Sequence, residues 1–133
     1  MADTLKMTVP GQMEYIKTAK LAVSSMAGIA GFDYDSLEDI RIAVGEACKC
    51  ITCHNQECWS SEYELTATVD EKALTITVVC EKTAHTVPKG HRICLDCPRE
   101  GDLAMEIIKS VMDEMILDKD GEGFCKITMV KNK

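Results

Sequence analysis

The chain has 133 residues, 46% of them hydrophobic, enough for one buried core and too few for two ordinary domains. It carries 22 acidic against 15 basic side chains, a formal charge of −7, which argues against nonspecific nucleic-acid binding because phosphate contacts need a basic face. There is no basic-then-apolar leader pattern and no run of about 18 apolar residues, so a cytoplasmic protein that neither crosses a membrane nor binds nucleic acid is expected, with a protein as its partner.

Leu5 to Val9 alternates as a short strand, Pro10-Gly11 turns, and Gln12 to about Ala30 keeps helical periodicity up to Gly31. A second helix lies within Gly31 to His54, where Asp35-Ser36 offer a capping oxygen and Leu37, Ile40, Ala43, Val44 and Ala47 repeat as a buried stripe. Glu46, Cys50 and Cys53 fall at i, i+4 and i+7, so a carboxylate and two thiols share one face, with His54 close by. Cys48 points away from that face and belongs to the core. Tyr63 to Val69 and Ala73 to Cys80, separated by Asp70-Glu71-Lys72, read as an antiparallel hairpin. Glu81 to Glu100, with Pro88, Gly90 and Pro98, reads as an irregular lid. Leu103 to Met112 is a helix with Met105, Ile108 and Met112 as its core stripe, and Met115 to Leu117 and Phe124 to Val130 close the chain as a hairpin. The expected fold is α/β (α+β): a two-layer sandwich over residues 1–133, one domain, with three helices on one face of a mainly antiparallel mixed sheet.

The segment GF-x-Y-x-x-LEDIRIAV-x-EAC, ending in His54, resembles the N-box helix of the anti-sigma-factor serine kinases, regulators in the histidine-kinase-like (GHKL, Bergerat-fold) ATPase superfamily. TAKLAVSSMAGIAGF, Thr18 to Phe32, looks like that family's first helix, and Leu74 to Val79 like the strand that leads to its adenine-binding aspartate. The resemblance implies a Bergerat-like fold, ATP with magnesium as cofactors, homodimers, and Glu46 as the base or water-orienting group of phosphoryl transfer. It also implies an asparagine four residues after the glutamate, as the magnesium ligand. Here that position is Cys50, the adenine aspartate is Cys80, and the glycine two residues on is Lys82. The glycine-rich turn before the last helix is Gly101-Asp102-Leu103-Ala104, and a threonine of the final strand near the adenine is Cys125.

Chemistry says what these departures do. Magnesium takes oxygen ligands in octahedral geometry, whereas a thiolate is a soft ligand suited to zinc, copper or iron–sulfur clusters. A cysteine sulfur accepts a hydrogen bond from the adenine amino group far more weakly than an aspartate does. Asp102 adds negative charge where a triphosphate would lie.

Eight cysteines are the second signal. In a reducing compartment such density points to metal or redox chemistry more than to a disulfide framework. Cys50-Ile51-Thr52-Cys53 and Cys94-Leu95-Asp96-Cys97 are two C-x-x-C pairs, the spacing by which four thiolates surround zinc or an iron–sulfur cluster. Cys50, Cys53, Cys94 and Cys97 form the first candidate ligand set, with Cys58, Cys80 and Cys125 as substitutes, and a Cys94–Cys97 disulfide is a further candidate switch. The opposing reading is that the cysteines pack as small hydrophobes and bind nothing.

Two functions follow. One is an anti-sigma-like regulatory protein that binds a sigma factor or an antagonist protein, its nucleotide site degenerate and remodelled into a cysteine metal or redox site. The other is a divergent ATP-dependent protein serine/threonine kinase in which Glu46 remains the base and Asn55 or Asp102 assists magnesium. The first requires fewer departures to be excused, so the expectation leans away from an enzyme.

Overall fold

The computed structural model describes residues 2–50, 62–81, 97–119 and 124–133. Five strands, β1 (Asp3–Pro10), β2 (Glu62–Val69), β3 (Ala73–Glu81), β4 (Glu114–Lys119) and β5 (Phe124–Asn132), form one sheet in the order β1-β2-β3-β5-β4. All four pairings are antiparallel, which bears out the mainly antiparallel sheet expected from sequence. The reason is topological: β3 and β4 run in the same direction, but β5 is inserted between them, and β2 separates β1 from β3 in the same way.

Period-two patterning decides which face of the sheet is buried. Tyr63, Leu65, Ala67 and Val69 of β2, Leu74, Ile76, Val78 and Cys80 of β3, and Ile127 and Met129 of β5 are buried on one face. The opposite face is rich in threonine, with Thr66, Thr77 and Thr128 aligned across three strands and the hydroxyls of Thr4 and Thr68 3.2 Å apart. The β2–β3 hairpin turns at Asp70, whose Oδ1 accepts the backbone N–H of Lys72 at 2.7 Å and of Ala73 at 2.9 Å. These two bonds, that of Ala73 first, hold the Asp70 carboxyl below its ordinary range.

Three helices, α1 (Ile16–Ile29), α2 (Tyr34–Lys49) and α3 (Cys97–Val111), cover the buried face. The helix expected to start at Gln12 instead opens with a separate 3-10 turn over Met13–Tyr15, because Gln12 is extended and its carbonyl accepts the Tyr15 N–H at 3.1 Å. α1 ends where the glycine predicts. Gly31 takes φ +97, Phe32 N–H donates to Ala27 O at 3.2 Å and Gly31 N–H to Gly28 O at 3.2 Å, a Schellman motif that carries Phe32 into the core. The cap of α2 is one residue pair earlier than expected: Asp33, not Asp35 or Ser36, accepts the Ser36 N–H at 2.8 Å, and Asp35 falls in the first turn. That bond also lowers the Asp33 carboxyl from its ordinary value. α3 begins at Cys97, so Gly101 lies inside a helix and not in a turn ahead of one, and Pro98 takes the second helical position, where its missing N–H costs nothing.

Ile40, Ala43, Val44 and Ala47 of α2 are all fully buried and Leu37 packs at the edge, so the expected stripe forms. Ala104 and Ile108 of α3 are likewise buried, with Met112 just past its end and Met105 at the margin. One lysine joins three elements beneath this layer. Lys131 of β5 donates to Asp39 Oδ2 of α2 at 3.0 Å and to Val111 O, the last carbonyl of α3, at 2.7 Å.

Candidate functional site

α2 supplies the face that the sequence singled out. Glu46 and Cys50 are one turn apart, the Cys50 N–H donating to the Glu46 carbonyl as the helix closes. Their environments differ: the Glu46 side chain is 20% exposed and its Oε1 lies 3.6 Å from Lys49 Nζ, while Cys50 is 5% exposed and belongs to the core cluster. A carboxylate reachable by solvent thus stands above a thiol shielded from it.

Cys80 is fully buried near the end of β3, and its register partner is Cys125, the second residue of β5. The two candidate positions that lie far apart in sequence, 80 and 125, are therefore placed on adjacent strands. Gly101 sits in α3, and Cys97 is the first residue of that helix. Cys53, Cys58, Cys94, the residue pair Asn55 and Lys82, and residues 82–96 of the expected lid lie outside the described residues, while the ends read as irregular are regular, Glu81 in β3 and 97–100 in α3. Among the described residues no group of three His, Cys, Asp or Glu side chains is gathered to hold a metal ion.

Cys48, assigned to the core from its helical angle, is fully buried there and lies against the Tyr63 hydroxyl. Burial pushes its thiol up to about 11, against the opposing pull of the Tyr63 hydrogen bond and of Lys20. Burial also raises the Tyr63 hydroxyl, and the neighbouring Cys48 thiol adds to that rise. Neither group ionises near neutral pH.

A second site was not foreseen. Lys17 and Lys20 of α1 and Arg41 and Lys49 of α2 border a recess of about 550 Å³, with Ile16 and Leu21 adding apolar surface. The Lys20 stem lies across Gly45: a Cβ there would stand 3.4 Å from Lys20 Cδ, an ordinary van der Waals contact. Arg41 is paired with Glu38 through one guanidinium nitrogen, while its Nε is buried with no hydrogen-bond partner among the described residues. Four cations thus meet around one concavity on a chain of net charge −7. The sequence did hold a signal: Lys17 and Lys20 are at i, i+3 on one helix and Arg41 and Lys49 at i, i+8 on the next, each pair on a single helical face.

The fold, three helices on a five-stranded antiparallel sheet with an acidic N-box-like helix, defines a class, and the chain belongs to it: residues 9–131 match the histidine kinase-like ATPase domain family. Within that family the chain is similar to the serine-protein kinase RsbW of Bacillus subtilis, with 32% identity over 123 residues, 86% of this chain and 77% of the relative. It is 30% identical to the serine-protein kinase RsbW of Staphylococcus epidermidis over 97% of its length, 86% of the relative. A shorter stretch of 52 residues is 44% identical to the RsbW of Halalkalibacterium halodurans, covering 39% of this chain and 32% of the relative. No helix among the described residues is long and apolar enough to cross a membrane.

Proposed function

We propose that this protein is a regulator of the anti-sigma type that works by binding a partner protein, a sigma factor or an antagonist, and that phosphotransfer to serine is not its main activity. The observation that carries this reading is Cys50. The family implies ATP with magnesium, and the resemblance assigns the magnesium ligand to this position, where the chain offers a thiol that is 5% exposed and enclosed by the core. A buried thiol is a soft donor and magnesium wants hydrated oxygen ligands, so the residues present do not fit that ion. Cys80 and Cys125 at the two adenine positions weaken the base contacts by the same reasoning.

Partner capture is supported by the basic recess between α1 and α2. The cations gathered there, Lys17 and Lys20 above all, attract a carboxylate-rich segment to that face while the remaining negative charge of the chain disfavours its binding elsewhere. Action as a cytoplasmic homodimer, and a zinc or iron–sulfur centre on Cys50, Cys53, Cys94 and Cys97, are finer parts of the same proposal. The two C-x-x-C spacings support the centre. The kinase reading is favoured by a different observation: Glu46 is retained and solvent reaches it.

The deciding experiment is a Mg-ATP titration and serine-phosphorylation assay on anaerobically purified protein, with its absorption spectrum and metal content recorded first. We expect no saturable Mg-ATP binding below about 1 mM, the upper end of ordinary enzyme affinities, and improved binding in the Cys50→Asn, Cys80→Asp double variant. Micromolar Mg-ATP binding by the unaltered chain, with phosphate transferred to a serine of a partner, would overturn the proposal in favour of the kinase.

A further inference from the structure

Among the described residues only one pair of register partners consists of two cysteines, Cys80 of β3 and Cys125 of β5. Partners directly opposite in an antiparallel pair have Cα atoms about 4.5 or 5.5 Å apart, depending on the hydrogen-bonding pattern at that rung, and both distances fall inside the roughly 4.4–6.8 Å that a disulfide spans. Register also puts both residues on the same face of the sheet, that of Val78 and Ile127 two rungs earlier. The pair is the penultimate rung of the β3–β5 ladder, followed only by Glu81 with Phe124. Rungs at the end of a ladder open more readily than those at its centre, which gives a reagent access to a thiol that is fully buried in the closed state.

We propose that Cys80 and Cys125 are a reversible dithiol–disulfide pair, a modification site at the end of the sheet whose oxidant is a low-molecular-weight disulfide. In the first step one cysteine thiolate attacks the small disulfide, forming a mixed disulfide and releasing one small thiol. In the second step the facing cysteine, as its thiolate, displaces the second small thiol and closes the cross-strand bond. The balance is two cysteine thiols and one small disulfide converted to one protein disulfide and two small thiols, with no further electron acceptor. The bond ties together the two ends of the segment that holds α3 and β4, and so fixes the sheet end at the positions where the family's adenine contacts are expected. The inference does not depend on whether nucleotide binds there.

The test is to incubate the reduced, full-length protein with graded ratios of oxidised to reduced glutathione, trap remaining thiols with an alkylating agent, and map linked peptides by mass spectrometry without reduction. We expect a Cys80–Cys125 peptide, a loss of about 2 Da for that bond as two hydrogens leave, and recovery of both thiols on adding dithiothreitol. Cys80→Ser and Cys125→Ser should each abolish that peptide, and circular dichroism of the oxidised unaltered protein should keep its folded signal. Recovering Cys80 and Cys125 both alkylated at a ratio where other thiols have reacted, or finding them linked to different cysteines, overturns the proposal. So does a linked peptide that appears only when the protein is unfolded. Mg-ATP binding in the same samples reports separately on the function proposed above, because the disulfide can be present with or without it.

Discussion

Replacing Lys131 by methionine keeps the stem that packs in the core and removes only the ammonium, which isolates what its two bonds contribute. The lysine side chain is 15% exposed, and its partners are the Asp39 carboxylate at 3.0 Å and the Val111 carbonyl at 2.7 Å. A charge-assisted hydrogen bond contributes roughly 1.5–3 kcal/mol when shielded, and the Val111 bond also places a cation at the negative end of α3. Asp39 is 37% exposed, so solvent screening reduces its share to no more than about 1 kcal/mol. The sum, after the entropy recovered by freeing a lysine, is a loss of about 2 kcal/mol, or roughly 6–10 °C in melting temperature for a chain of this length. Urea denaturation is the assay: the midpoint should fall while the slope stays constant, because the surface exposed on unfolding is unchanged. Asp39→Asn should cost less than Lys131→Met, since it spares the helix carbonyl. A loss below about 0.5 kcal/mol for Lys131→Met would show that this lysine does not join the three elements and that apolar packing alone holds them.

Three other outcomes are expected. The Cys48 thiol, raised from 9.0 to about 11 by burial, favours the protonated form, so its contribution is complete below pH 9 and is lost as pH rises through 11. Over that interval it amounts to something on the order of 2–3 kcal/mol, and urea melts at pH 8 and 10.5 should show a smaller alkaline loss in Cys48→Ala than in the unaltered protein. Gly28→Ala should stabilise by roughly 0.5–1 kcal/mol because nothing lies within 4 Å of the added methyl, whereas Gly31→Ala should destabilise by about 1 kcal/mol because its φ is +97; thermal melts compare the two. Lys20→Glu should weaken capture of the partner protein at least about tenfold at low salt, with the difference shrinking as ionic strength rises, measured by titration calorimetry; an unchanged affinity would remove the basic recess from the binding surface.

Signals confined to one element could be read before the structure was known. The stop of α1 at Gly31 and the buried stripe of α2 depend only on local chemistry and helical period, and both form as read. The cap of α2 was misplaced because Asp33, Asp35 and Ser36 all carry capping oxygens within four residues, and only the extended backbone at Asp33 selects among them. The first turn after Pro10 looked helical because i, i+3 spacing does not distinguish a 3-10 turn from an α-helix. Gly101 was read as a turn because glycine punctuates sequence, yet its backbone is helical within α3. At the candidate site, Glu46 and Cys50 followed from one helix, but the facing of Cys80 and Cys125 required strand register, and the basic recess required the packing of α1 on α2.

The order of strands in the sheet has a consequence for how the chain reaches it. The β2–β3 hairpin closes through a short turn fixed by Asp70 and loses little loop entropy in forming, so it is available early as a template. β1 is first in the chain but lies on the outer edge, and β2, its strand partner among the described residues, arrives only after both α1 and α2 have been made. A ribosome-bound chain therefore holds β1 without its β2 partner until residues through Val69 have emerged.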